Sequence, residues 1–203
     1  MAYRRTEAVQ ARLDGQRRAI VTAAIEQLSE HGYAACSVAA VASRAGVAAG
    51  TVYRYFDSKA ELVAEVFRAV VTREVDAVRA AVSTGDRPVE RAAAVIETFS
   101  GRALKSPRLA YALLAEPVAP EVDALRLEFR IAFRDIVSSV IADGVASGSL
   151  PPQNPDVVAA ALVGAIGEAL VGPLSAGAAD PDTIPTLIAF TRRALGTESK
   201  ESA

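Results

Sequence analysis

The chain has 203 residues, of which 51% are hydrophobic, enough for a sizeable core and against global disorder. A single Cys36 and a single His31 exclude an intrachain disulfide and argue against a His/Cys zinc site. The formal net charge of −2 does not advertise a nucleic-acid binder, but its distribution is uneven. Residues 1–60 hold eight basic and five acidic side chains, a net +3, which leaves −5 for the rest. A weakly basic head on an acidic body suits phosphate contact at one end.

The segment MAYRRTEAVQARLDGQ lacks the apolar region of a signal peptide, and no apolar run reaches the roughly 18 residues of a membrane span. A soluble, cytoplasmic protein with no membrane partner is expected. Arg4 and Arg5 form either an arm reaching a DNA groove or a frayed terminus. From about Gln16 to His31, Ile20, Ala24 and Leu28 recur at helical spacing, with Val21 and Ile25 widening the stripe. Gly32 ends this helix, and Tyr33 is placed to cover the core of a small domain.

Ser37 is a good N-cap for a short helix whose apolar face is Val38, Val41, Ala42 and Ala45. Gly46 supplies a turn, and a second short helix from about Ala49 to Tyr55 carries Val52 inward. A helix, a glycine turn and a second short helix predict a helix-turn-helix unit, whose second helix enters the DNA major groove. The alternative for this stretch alone is an ordinary helical hairpin in a core.

Ser58 and Glu61 have capping-box spacing and open a long helix to about Val82, with Leu62, Val66 and Val70 in one row and Val63, Phe67 and Val71 beside it. The remainder reads as helix throughout, with no alternating strand pattern. Predicted helices are Pro88 to Lys105, Pro107 to Ala115, Pro120 to Ser147, Asp156 to Leu174 and Asp182 to Leu195, followed by a polar tail from Gly196. The fold class is therefore all-α with about nine helices: a head at 1–60 and a body at 61–203.

The stretch RRAIVTAAIEQLSEHGYAACSVAAVASRAGVAAGTVYRYFDSKAELVAEVF resembles the N-terminal domain of TetR-family transcriptional regulators. The shared marks are Gly32-Tyr33, the Ser37 cap, Ala45-Gly46-Val47, Gly50-Thr51-Val52-Tyr53, Tyr55-Phe56 and Ser58 to Leu62. The resemblance implies a three-helix DNA-binding head, an all-helical ligand-binding and dimerising body, and usually repression relieved by a small molecule. One departure is Ala48, where such proteins commonly carry Ser or Thr to cap the recognition helix.

The expected DNA-contact residues are Ser37, Arg44, Ala49, Gly50, Thr51, Tyr53, Arg54 and Lys59. Thr51 suits base edges, Gly50 permits close backbone approach, and Tyr53 suits a phosphate or sugar, with core packing as its alternative. Arg54 can read guanine or hold a phosphate. Lys59, at the start of a helix, suits a phosphate.

One short recognition helix contacts few bases, so a homodimer on a near-palindromic double-stranded DNA operator is expected. Ala160, Gly164, Gly167 and Val171 form a small-residue stripe, and Leu187, Phe190 and Thr191 lie on the last helix; together they make the expected dimer face, unless the stripe packs on its own body.

The candidate ligand-binding residues are Phe99, Arg102, Tyr111, Leu114, Arg126, Phe129 and Phe133, with Leu113 and Glu116 beside them. A largely apolar effector is expected, and no cofactor or metal. An enzymatic reading finds no paired Cys/His, no HExxH and no phosphate-cradling glycine loop. A regulator or architectural protein of the same fold without an effector is the remaining alternative. An interior cavity of roughly 300 Å³ or more would favour sensing.

Overall fold

The computed structural model describes residues 7–83 and 85–196. Arg4, Arg5 and most of the polar tail lie outside these residues. The described residues form nine α-helices and no strand, in the order α1 (Glu7–Ala35), α2 (Val38–Arg44), α3 (Ala49–Tyr53), α4 (Lys59–Val82), α5 (Pro88–Lys105), α6 (Pro107–Leu114), α7 (Pro120–Ala146), α8 (Pro155–Ala176) and α9 (Thr183–Ala194).

Local signals set most boundaries. The Ser37 hydroxyl accepts from Ala40 N at 3.1 Å and starts α2. Ser58 accepts from Glu61 N at 3.1 Å, while the Glu61 carboxylate takes Asp57 N, one residue ahead of the cap. Proline occupies the first turn of α5, α6, α7 and α8. The Asn154 side chain accepts from Asp156 N and Val157 N.

Three boundaries in the head differ from the sequence reading, and those of the body fall within two residues of it. α1 begins at Glu7, so a stretch read as a polar terminus is helical through its exposed Arg12. The kink at Gly32 (φ 75°) bends the chain, and helical turns resume to Ala35. α3 stops at Tyr53, two residues short of the expected end.

Two clusters of buried side chains make the core. One joins Ile20, Leu28, Val41, Val52, Phe56 and the first half of α4 to Leu109, Val122 and Leu125. The other joins Val78 near the end of α4 to α5, α7, α8 and α9. α4 thus runs through both. The head is therefore seated directly on α6 and α7 as well as continuing into α4.

α8 is long and apolar enough, by length and composition alone, to cross a membrane, which corrects the expectation that no such segment exists. Its Leu162, Ile166, Leu170 and Leu174 row is buried in the second cluster, as in a core helix of a folded body.

Candidate DNA-binding head and ligand cavity

α2 and α3 meet across Gly46, whose φ of 67° lies in the left-handed region that glycine tolerates. Val41, Ala42 and Val52 are buried between them, which fixes the outward face of α3. Ala49, Gly50, Tyr53 and Arg54 are exposed and Thr51 is half-buried. Tyr53 is 53% exposed, so it does not take its core-packing alternative. A Cβ at Gly50 would meet nothing within 4 Å, so the protein itself does not require glycine there. Ala48 stands at the N-cap of α3 without a side-chain hydrogen bond, leaving the first amides of α3 without that acceptor.

Two other predicted DNA contacts have partners within the head. The Lys59 ammonium donates to Tyr33 O at 2.8 Å and sits 4.2 Å from the Tyr33 ring centroid. One donor of three is used, and the half-buried side chain is fixed beside the α1–α2 turn. Arg44 forms a two-pronged pair with Glu30, with one arm at 2.6 Å, and lies 3.6 Å from Glu26. This pair holds the Glu30 carboxyl below its ordinary range. α1 is further tied to α4 by Arg17, which bonds Glu65 at 2.8 Å, and to the α3–α4 turn by Arg17 lying over Phe56 and by Tyr55, which donates to Gln16 at 2.9 Å. Cys36 is 1% exposed, and burial pushes its thiol pKa up, which suits an inert small residue.

In the body, a cavity of about 780 Å³ lies among α4, α5, α6, α7 and α8, with Ile25 and Ser29 of α1 also in its wall. Six of the seven predicted ligand residues line it: Phe99, Arg102, Leu114, Arg126, Phe129 and Phe133. Phe99 and Phe133 meet edge to face with centroids 5.1 Å apart. Tyr111 does not line it; its ring packs against the second core cluster. That is a correction: its neighbours Ala110, Leu113 and Leu114 reach the cavity, while the Tyr111 side chain is taken up by packing on the second cluster. The sequence reading also missed the α1 wall, for which nothing local to Ile25 or Ser29 is a signal.

The polar lining is predominantly cationic. Arg73, Arg102, Lys105, Arg126 and Arg130 line the cavity against Glu74 and Glu168. Arg102 bonds Glu74 at 2.8 Å, and Arg126 is occupied by backbone carbonyls. Arg73, Lys105 and Arg130 have no carboxylate partner among the described residues.

The predicted dimer residues divide. Leu187 and Thr191 are buried within their own protomer, with Thr191 donating to Leu187 O at 2.9 Å. They therefore cannot lie on an outer face. Thr191 and Leu187 are one turn apart, so α9 turns that row inward and leaves Phe190 out, 39% exposed. Ala160 and Gly164 are exposed, whereas Gly167 and Val171 are half-buried and Gly164, Gly167 and Val171 border the cavity.

A helix-turn-helix head carried on a helical body with an internal cavity defines a class of DNA-binding protein. Residues 20–66 match the sequence model described as bacterial regulatory proteins, tetR family. The chain is 24% identical over 133 residues to the fatty acid metabolism regulator protein of Bacillus subtilis, covering 64% of this chain and 69% of that one. It is 31% identical over 141 residues to the transcriptional repressor KstR of Mycobacterium tuberculosis, covering 66% of this chain and 60% of the relative.

Among solved structures, FadR of Bacillus subtilis in complex with stearoyl-CoA superposes with a TM-score of 0.77 at 20% identity, over 89% of this chain and 98% of the other. A TetR regulator from Haloarcula marismortui gives 0.78 at 22% identity, over 90% and 97%. The match to the tetR family model thus covers the head, residues 20–66, and about nine-tenths of the chain shares the fold of these solved structures.

Proposed function

We propose that the protein is a homodimeric repressor that leaves a near-palindromic operator when the body cavity takes up an amphipathic molecule with a long apolar chain and an anionic end. The observation that carries this reading is the cavity: about 780 Å³, walled by Phe99, Phe129, Phe133 and aliphatic side chains, with Arg73, Lys105 and Arg130 in its lining and without a carboxylate partner among the described residues. An apolar chain would be driven into such a space by removal of its surface from water, and cations without a carboxylate partner favour a negative terminus. The similarity to a fatty acid metabolism regulator, and to a FadR structure holding stearoyl-CoA, supports the same class of ligand.

In this reading Ala49, Gly50, Thr51, Tyr53 and Arg54 face the major groove, and Ser37, Arg44 and Lys59 lie towards phosphates. Arg44 reaches a phosphate only by sharing its guanidinium with Glu30. Ala160, Gly164 and Phe190 belong to the dimer face. Ligand binding favours a body state in which α4 tilts, and the two α3 helices no longer match successive grooves. The experiment is a titration of operator-bound protein with stearoyl-CoA. Release of the DNA, saturating with ligand, is expected. Unchanged operator affinity at saturating ligand would refute the coupling.

A further inference from the structure

The α6–α7 turn holds a second connection between the cavity and the head, separate from α4. Its body end is Arg126, a cavity-lining residue whose side chain is 12% exposed. The Arg126 guanidinium donates to Ala112 O at 2.8 Å, to Leu113 O at 3.0 Å and to Glu116 O, and so gathers the carbonyls at the end of α6. Its head end is the Glu116 side chain. One carboxylate oxygen accepts from Tyr33 N at 2.9 Å and the other from Ala34 N at 3.2 Å.

The seat for this carboxylate is Gly32. Its φ of 75° turns the next two amides outward together, and a Cβ on it would come within 3.4 Å of both Glu116 oxygens. Tyr33 in turn gives its carbonyl and its ring face to Lys59, at the entry to α4.

We infer that Arg126 and Glu116 are positioning residues that join the effector cavity to the α1–α2 turn, so that a ligand reaching Arg126 alters the hold of Glu116 on Tyr33 and Ala34. The inference rests on the reading of the cavity as an effector site. The physical argument is exchange of acceptors. A guanidinium has five donors in a fixed plane, and four are engaged here by three carbonyls and by Asp123 at 3.0 Å. An anionic oxygen in the cavity is a stronger acceptor than a neutral carbonyl and would draw Arg126 away from the end of α6. The turn bearing Glu116 would then lose its internal brace. A carboxylate gripping two amides has a defined bonded geometry, so its displacement is felt at the head as lost hydrogen bonds.

Adjacency alone does not demonstrate coupling, so the test measures it. Amide hydrogen exchange is followed in the full chain for wild type, Glu116→Gln, Arg126→Met and Arg126→Lys. Glu116→Gln should speed exchange at Tyr33 and Ala34 about fivefold, the worth of one net hydrogen bond. Arg126→Met should do the same at these amides although it touches neither, with Arg126→Lys between it and wild type and Ile20 to Leu28 unchanged. Wild-type exchange at Tyr33 and Ala34 in Arg126→Met would overturn the inference, as would equal acceleration throughout α1.

A second measurement uses hexadecanoate as the probe and reads operator affinity with and without it. The ratio should move towards one in Glu116→Gln while the variant still takes up the probe. A ratio equal to that of wild type overturns the link. If wild type itself takes up no hexadecanoate, that result counts against the effector reading, and the exchange comparison still decides the link.

Discussion

Arg44 and Glu30 clasp α2 to α1 through both prongs of a guanidinium and a carboxylate, with Arg44 Nη1 2.6 Å from Glu30 Oε1. The pair sits beside the turn from which the recognition helix departs, so it governs head geometry before it offers any charge to DNA. Because the carboxyl pKa is depressed by this hydrogen bond, the pair's contribution is complete above the ordinary Glu value of about 4.3 and is lost as pH falls through the lower folded value. Glu30→Gln should therefore lower the melting temperature at neutral pH, and the gap to wild type should close on acidification. Thermal melts from neutral to strongly acid pH measure it, and a gap that widens in acid would reverse the sign of the argument.

Lys59→Ala should weaken specific and non-specific DNA binding together. Each lost phosphate contact reduces the slope of log affinity against log salt by about 0.9, so a dimer losing one contact per head should lose roughly two units of slope. A salt titration with unchanged slope would leave Lys59 only its role at Tyr33.

Ala48→Ser should stabilise the head. Ala48 already has extended N-cap geometry (φ −71°, ψ 148°) but no acceptor for the first amides of α3. Supplying one is worth about 0.5–2 kcal/mol. The expected result is a higher head stability by denaturant titration, with tighter operator binding if α3 orders on contact.

Most of this architecture is legible in the chain because its signals are local. Proline at the first turn, Ser37 and Ser58 as caps, and Gly46 at a positive φ act within a few residues of themselves. Phe99, Phe129 and Phe133 are legible as candidate cavity wall because they are large apolar side chains on the body helices α5 and α7. The rest depends on contacts distant in sequence. Glu116 could be seen as a polar residue near a pocket, but its hold on Tyr33, 83 positions earlier, follows only from the folded chain. Helical periodicity likewise gives Leu187 and Thr191 a common side without saying whether that side faces inward, and packing on the body decides it.

Ala160→Glu should weaken dimerisation. Ala160 is exposed on α8, and an interface with two-fold symmetry meets the new charge twice. Sedimentation should show a dimer for wild type at micromolar concentration and a dissociation constant raised by roughly tenfold, about 1.4 kcal/mol, or more in the variant. A wild-type monomer at that concentration would remove the dimer from the account.

The central claim is that two α3 helices, held by one dimer, read DNA together. Selection of bound duplexes from random sequence by the purified full chain tests it most directly. The account predicts enrichment of a near-palindrome whose half-sites are spaced by turns of the duplex. Enrichment of a single half-site, or none over the starting pool, would contradict it.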